Sequence, residues 1–535
     1  MNTKKAFAFL LVLSMMGTIM AGCGGEPAAE EPVVEEPAAE EPAAAGASTV
    51  TVAIGADPSN LGPFVGMSLG RISVLNTMYA YLFYVNPETG SLDPYLAESL
   101  ENTAEKTYVV TLFDYVTDSA GNHITAADVA FSYNTAMEAN VYHPLGDVES
   151  VTATGDYTVE FVTKEVPGPG GIEKIVTECP IVSQAAYEAS DDEFATMPVT
   201  PAAYVLTEYV PGSSLTFERR DDYWQTDPSL SPVVATANVQ TAVFQIITEP
   251  AQHTVALQTG SADVSTSIPG SDIGLFDGKP DFNVFKRQDN LTTVLVFNGS
   301  EGNPFTSKEL RQAVAYAIDT SAMCEAVAPG ACNPAHAIGN SNFEGYLEQW
   351  DTEAYYDHDL DGAKDLLAAA GFQPGDLTVK LLGQNDPRTG LVAQVVQATL
   401  AELGIDVEIS QVEPPVFQSE KTDPAKWDIV IDATAGGDFI FSPWQLIFDQ
   451  KRYNGTTSGW VKDDQLQALM DTAANEDTFT PENVDAAWQY IKDTVYAYGL
   501  FSYVNNTVSV SGVTQVFHDS RGFVLPGVCE YAPDF

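Results

Sequence analysis

The stretch 290–326 constrains the fold more than any other. Asn290-Leu-Thr-Thr-Val-Leu-Val-Phe-Asn298 is an apolar, β-branched run closed by a polar residue, which reads as a buried strand. Thr306 with Glu309 three residues on has the spacing of a capping box. After it, Leu310, Ala313, Val314, Ala317 and Ile318 recur on one helical face. Asp319 and Ser321 are placed to cap the next helix, which Pro329-Gly330 stops. A strand feeding two capped helices near the middle of 535 residues marks the start of a second lobe, because single cores stop growing at about 250–300 residues.

The first 48 residues obey different rules. Lys4 and Lys5 precede an apolar run, Ala6 to Met20, that is short for a membrane span, and Met20-Ala21-Gly22-Cys23 follows. This order is that of a secretory leader, expected over 1–22. Small residues directly before a cysteine resemble a bacterial lipobox, with Met20 where leucine is commoner. Cleavage before Cys23 would leave that residue to carry the lipid; the alternative is an uncleaved anchor. Residues 23–48 repeat Glu-Pro-Ala-Ala-Glu without an aromatic or basic side chain, so they lack the apolar surface to fold and are expected to form an extended tether.

Net charge is −51, or −46 once the two leader lysines and the seven tether glutamates are set aside. Nucleic acid and anionic membrane surfaces are therefore excluded as partners, and membrane contact is expected through the lipid alone. A cationic solute, a salty habitat and plain solubility all remain compatible with the acidity. Four cysteines follow Cys23: Cys179, Cys324, Cys332 and Cys529. In an exported chain Cys324 and Cys332 would close a short loop over Pro329-Gly330, and free buried thiols are the equal alternative.

From Ser48 onward the chain reads strand (Thr49-Val-Thr-Val-Ala-Ile54), Asp57-Pro loop, an apolar helix over Arg71–Tyr84, Asp93-Pro-Tyr-Leu-Ala-Glu-Ser99, strand (Thr107-Tyr-Val-Val-Thr-Leu112), a Gly121 turn and Thr125-Ala-Ala-Asp-Val-Ala-Phe-Ser-Tyr133, where Thr125 and Asp128 form a capping box. Phe217-Glu-Arg-Arg-Asp-Asp-Tyr-Trp224, Leu257-Gln-Thr-Gly-Ser-Ala-Asp263, Leu310-Arg-Gln-Ala-Val-Ala-Tyr-Ala-Ile-Asp319, Ala363-Lys-Asp-Leu-Leu-Ala-Ala-Ala-Gly-Phe372 and Leu403-Gly-Ile-Asp-Val407 continue the series. In this order, the motifs resemble the peptide/nickel-type (family 5) extracytoplasmic solute-binding proteins of bacterial ABC importers, the group that includes dipeptide- and oligopeptide-binding lipoproteins. The resemblance runs from residue 49 to the C-terminus. It departs at Thr200-Pro-Ala-Ala-Tyr204, where the family has Gly-Thr-Gly-Pro-Tyr; two glycines are lost at a turn.

The resemblance implies a two-lobed α/β fold of the periplasmic-binding-protein type (type II, large cluster with an extra subdomain), with mixed sheets flanked by helices and a two-crossing hinge. Lobe I is expected from 49–90, 200–295 and 504–535, its extra subdomain from 91–199, and lobe II from 296–503. The residues of the second half point the same way. Strands at Leu377–Leu382 and Ile405–Val412 flank a helix at Thr389–Leu403, a βαβ unit with parallel strands. Trp427–Asp432 adds a strand and Asp485–Tyr498 a helix, and Leu500–Val504 is expected to cross back to lobe I. The two crossings are expected near 291–298 and 500–505.

Ala435-Gly-Gly-Asp-Phe-Ile-Phe-Ser-Pro-Trp444 is the most functional-looking segment. Its glycines permit close backbone approach and expose Asp438, while Phe439, Phe441 and Trp444 are suited to line a pocket. In peptide-binding relatives an aspartate after glycine in this segment pairs with the terminal ammonium of the ligand; Gly437 and Asp438 occupy the matching positions, although Ser442-Pro443 replaces the usual Asp-Pro. Arg388, at a helix start, is a candidate for a peptide carboxylate, and Asn298, at the expected crossing, for the ligand backbone.

Two motifs point elsewhere. Gly66-Met-Ser68-Leu-Gly70 matches a nucleophile elbow, but a Pro-containing loop precedes it and the six histidines give no triad context. Asp357-His-Asp-Leu-Asp-Gly362 opens like a calcium loop, but Ala368 stands where a bidentate Glu is required, so the acids read as a helix start. No catalytic residue, metal or cofactor is expected. The expectation is a monomeric lipid-anchored receptor on the outer face of the cell membrane, which hands a small solute, foremost a short peptide, to an ABC permease. A nickel chelate or oligosaccharide as solute, a surface sensor or adhesin, and a hydrolase built on Ser68 are the alternatives.

Overall fold

The computed structural model describes residues 49–535 apart from 67, 87, 88, 354, 435–438, 451–461, 520 and 534. The leader, Cys23 and the tether lie outside the described residues.

In the first lobe Thr49–Ile54 pairs in parallel with Thr241–Ile246 and with Val264–Ser265. Ser214–Arg219 and Tyr204–Val210 extend the sheet antiparallel. A separate antiparallel layer holds Ala97–Ala104, Thr107–Leu112, Thr158–Thr163 and Val148–Ala153. Period-2 alternation sends Val110, Val159 and Phe161 inward, where they join Val52, Phe217 and Phe244 in one continuous core. The Thr125/Asp128 capping box forms as the spacing implies, and Asp128 also accepts the Gln184 N–H at 2.8 Å, which ties the helix Ala126–Ala139 to its neighbour.

The second lobe is built on Thr378–Gln384, parallel to both Asp406–Val412 and Ile429–Thr434, with Pro387–Glu402 as the crossover helix. Thr292–Phe297 pairs antiparallel with Ile429–Thr434 along its whole length. The expected lobe boundary at 295/296 falls inside this strand, whose first residue, Thr292, already pairs with Thr434. The helix expected over Asp485–Tyr498 runs from Pro481 to Thr494, since Thr480 caps it and Val495 turns left-handed at φ 47°. Tyr496 onward is then free to begin the strand Ala497–Val510.

That strand joins the lobes. Residues from Ala497 to Phe501 pair with Val296 to Thr293 in the second lobe, and Val504 to Val510 pair with Gln288 to Phe282 in the first. The two crossings, 289–291 and 502–504, lie side by side: the Asp289 N–H donates to Tyr503 O at 2.8 Å, and Asn340 Nδ2 donates to Asp289 O at 2.7 Å and to Ser502 Oγ at 3.3 Å. This is the two-lobed α/β periplasmic-binding-protein fold with mixed sheets flanked by helices.

The opening strand-helix unit forms with one change of cap. Ser307 caps the helix Lys308–Ala317, its Oγ accepting the Leu310 N–H at 3.2 Å, while Thr306 donates to Asn303 O. Asp319 caps Thr320–Val327, as the sequence implies. Cys324 and Cys332 form a disulfide, and Cys179 and Cys529 are buried thiols.

Candidate functional site

In open α/β sheets ligands bind outside the carboxyl ends of the parallel strands. Here those ends converge from both lobes on the crossings. Thr434 ends its strand opposite Thr292, beside the 289–291 crossing. Ser265 lies opposite Val508, so the chain beyond Ile54 and Ser265 runs toward the 502–504 crossing. The cleft is therefore bounded by the loops after Ile54, Ser265, Gln384 and Val412 and by the end of Ile429–Thr434.

On the second-lobe rim Asp386 caps the crossover helix, accepting the Arg388 and Thr389 N–H groups at 2.9 and 3.0 Å. The exposed Arg388 guanidinium lies 4.6 Å from the centroid of the Tyr503 ring, on the crossing itself. Burial pushes the Tyr503 phenol pKa up, Arg388 opposes that shift and Asp386 adds to it, so the phenol stays neutral. A half-buried Lys421–Asp432 pair at 3.1 Å lines a cavity of about 50 Å³ at the end of Ile429–Thr434, too small for a peptide.

At Phe439, the first described residue after Thr434, the lobes touch. Phe439 stacks on Phe441 at 5.3 Å and 19°, and Phe479 meets its ring edge-on at 5.4 Å. The ring edge faces Gly170 of the first lobe, where an added Cβ would stand 2.3 Å from Phe439 Cε2. Gly170 has φ +67° and precedes the helix Gly171–Glu178. Gly168 makes a similar approach to Ala474 O, at 2.8 Å from an ideal Cβ. The run Val166-Pro-Gly-Pro-Gly-Gly171 is the sequence signal for this contact.

Gly437 and Asp438 lie outside the described residues. Phe441 is buried and supports Phe439. Trp444 is a core residue and not a pocket wall: it is 0% exposed, packs against Trp350 and Trp488, and donates its indole N–H to Ile338 O at 2.8 Å. Asn298 is likewise corrected. It lies at the far end of its strand, six residues or about 20 Å from the crossing. Its Nδ2 donates to Pro424 O and Trp427 O at 2.9 and 2.7 Å, and its Oδ1 accepts Ser300 N and Oγ, so no hydrogen-bonding capacity is left for a solute.

The two remaining motifs are helix starts. Ser68 caps Leu69–Met78 by accepting the Arg71 N–H at 3.3 Å. Asp359 caps Leu360–Ala369 by accepting the Gly362 N–H at 2.9 Å. Among the described residues no group of His, Cys, Asp and Glu side chains is placed to hold a metal ion.

Two lobes, a paired crossing and a cleft lined by strand ends define a hinged receptor for a small solute. The family described as bacterial extracellular solute-binding proteins, family 5, matches residues 91–451, and the chain belongs to it. It is an extracellular solute-binding protein. It is similar to the glutathione-binding protein GsiB of Shigella boydii, at 24% identity over 69% of this chain and 70% of that protein. Similar folds are the dipeptide-binding protein of Pseudoalteromonas sp. SM9913 in complex with Met-Leu (TM-score 0.72, 19% identity, 91% of this chain and 100% of that one) and NikA of Brucella suis in complex with Fe(III)-EDTA (TM-score 0.75, 19% identity, 90% and 100%).

Proposed function

We propose that the solute is a short peptide held at both ends, its terminal ammonium by Asp438 and its carboxylate by Arg388. The observation that carries this reading is the exposed Arg388 guanidinium on the hinge tyrosine, at the cleft rim of a chain with an excess of acidic side chains. A planar guanidinium suits bidentate capture of a carboxylate. Asp438 directly precedes Phe439, the residue that touches the opposite lobe. Closure over a peptide would bring the two charges to its ends while aromatic and backbone groups cover its middle, the hinge mode of periplasmic binding proteins. The peptides named for GsiB and for the SM9913 protein support the choice, and the chelate in NikA marks the main competitor.

A di- to pentapeptide library is expected to raise the melting temperature. Asp438→Ala and Arg388→Ala should each weaken the best peptide roughly 10- to 100-fold, the scale of one lost charge-assisted contact. N-acetylation of that peptide should weaken binding to the wild type by a similar factor and cost Asp438→Ala nothing further. A shift with a metal chelate or an oligosaccharide, and none with any peptide, removes the peptide reading.

We further propose that Cys23 is lipidated and that residues 24–48 hold the receptor several tens of Å from the bilayer, at roughly 3 Å per extended residue. Palmitate labelling of the full chain should mark it, and Cys23→Ser should abolish the label and release the chain into the medium. A Cys23→Ser chain that stays in the membrane would point to an uncleaved anchor.

A further inference from the structure

We propose that the Cys324–Cys332 disulfide is a clamp on the hinge that limits how far the lobes open. The bond joins the helix Thr320–Val327 to the strand Cys332–Pro334. The helix is fixed in the second-lobe core through Met323, Cys324 and Val327. The strand pairs with the crossing itself: Cys332 lies opposite Tyr503, Asn333 opposite Ser502 and Pro334 opposite Phe501. Two further backbone bonds bracket the pairing, Val504 N–H to Ala331 O at 2.9 Å and Ala335 N–H to Leu500 O at 3.0 Å. The intervening turn reaches the first lobe, where a Cβ built on Gly270 would stand 3.0 Å from both Ala331 Cβ and Pro329 O.

A strand of three residues has little hold of its own. The covalent bond gives it one, by fastening it to a helix that belongs to one lobe while its turn rests on the other. The closed loop is short, with a sequence separation of 8, so its effect on global stability is small beside that of a long-range disulfide. Its effect falls instead on the few residues that change conformation when the lobes part. Cys332 is partly exposed, which leaves the bond open to thiol exchange. A dithiol reductant would supply two electrons and two protons, be oxidised to its own disulfide, and leave Cys324 and Cys332 as thiols.

The test compares three forms of the full chain by hydrogen exchange and small-angle scattering: the oxidised wild type, the wild type reduced with dithiothreitol after folding, and Cys324→Ser/Cys332→Ser. Opening the bond is expected to speed exchange at least tenfold in peptides covering 289–291 and 502–504, and to raise the radius of gyration of the solute-free protein. Exchange in Thr378–Gln384, deep in the second lobe, should stay slow. Acceleration confined to 324–332, with both crossings and the radius unchanged, would overturn the proposal and leave a local staple. Should the double variant lose protection throughout the lobe, the reduced wild type, folded before its bond is opened, decides between the two outcomes.

Discussion

Gly170→Val is expected to abolish closure of the lobes. At φ +67° a β-branched residue carries a backbone penalty of about 1–2 kcal/mol. The larger effect is steric. A Cβ 2.3 Å from Phe439 Cε2 cannot coexist with the stacked Phe439–Phe441 pair, and Phe479 blocks the retreat of the ring. In the variant, scattering should show no compaction on adding the peptide that stabilises the wild type most, and affinity should fall by roughly 100-fold or more, about 3 kcal/mol of binding energy. Gly121→Val separates strain from contact, because Gly121 has φ +84° and nothing within 4 Å of an added Cβ. It should cost stability and leave binding alone. Adding Phe439→Ala to Gly170→Val should recover part of the closure by making room. Wild-type binding by Gly170→Val would mean that the lobes close on solute without this contact.

Arg311→Met should lower the melting temperature of the second lobe by about 10 °C while affinity measured well below the transition changes little. Arg311 is 3% exposed and, among the described residues, its hydrogen bonds go to backbone carbonyls. Its Nε and Nη2 donate to Thr494 O at 2.9 and 2.7 Å, and Nη1 donates to Phe305 O and Thr306 O at 2.7 and 3.1 Å. The guanidinium also lies 4.5 Å from the Tyr496 ring centroid. Burial lowers its pKa while Tyr496 and Glu309 oppose that shift, and an arginine remains charged, so the cation is held chiefly by carbonyl dipoles. Methionine fills the volume but leaves the carbonyls short of donors, at a cost of about 3–5 kcal/mol. For a lobe of this size each kcal/mol corresponds to about 2–4 °C. Arg311→Lys keeps the charge without the fork and should recover less than half. Binding is spared because Thr494 precedes Ala497, at the end of the strands away from the crossings. Equal loss of binding and stability would show that this end of the lobe reports to the cleft.

The helix that carries Arg311 shows how far pattern reading reaches. Its apolar face at Leu310, Ala313, Val314 and Ala317 is buried as the spacing implies. Arg311 is buried with them, because the carbonyls that hold it come from a loop 5 residues before it and a helix end 183 residues after it. No local pattern encodes such a partner. Trp444 and Asn298 misled for the same reason. An aromatic near a glycine loop and an amide at a strand end look available in one dimension, and the Trp350–Trp488 cluster and the Pro424 and Trp427 carbonyls claim them in three.

By itself the sequence determined the local elements, the βαβ unit of the second lobe and, through the order of its motifs, the family and two-lobed fold. The elements and the βαβ unit rest on periodicity, capping and turn chemistry, which act over a few residues, whereas the family and the two lobes rest on the resemblance of the motif order. Tertiary structure decided that the first crossing falls at 289–291 and not along 291–298, since register along Ala497–Val510 fixes it, while the second, at 502–504, lies within the expected 500–505. It also decided which side of the strand Thr292–Phe297 matters. The end that meets the cleft is Thr292, and Asn298 marks the opposite edge, because pairing against Ile429–Thr434 is antiparallel and the carboxyl ends of the parallel strands point to the hinge.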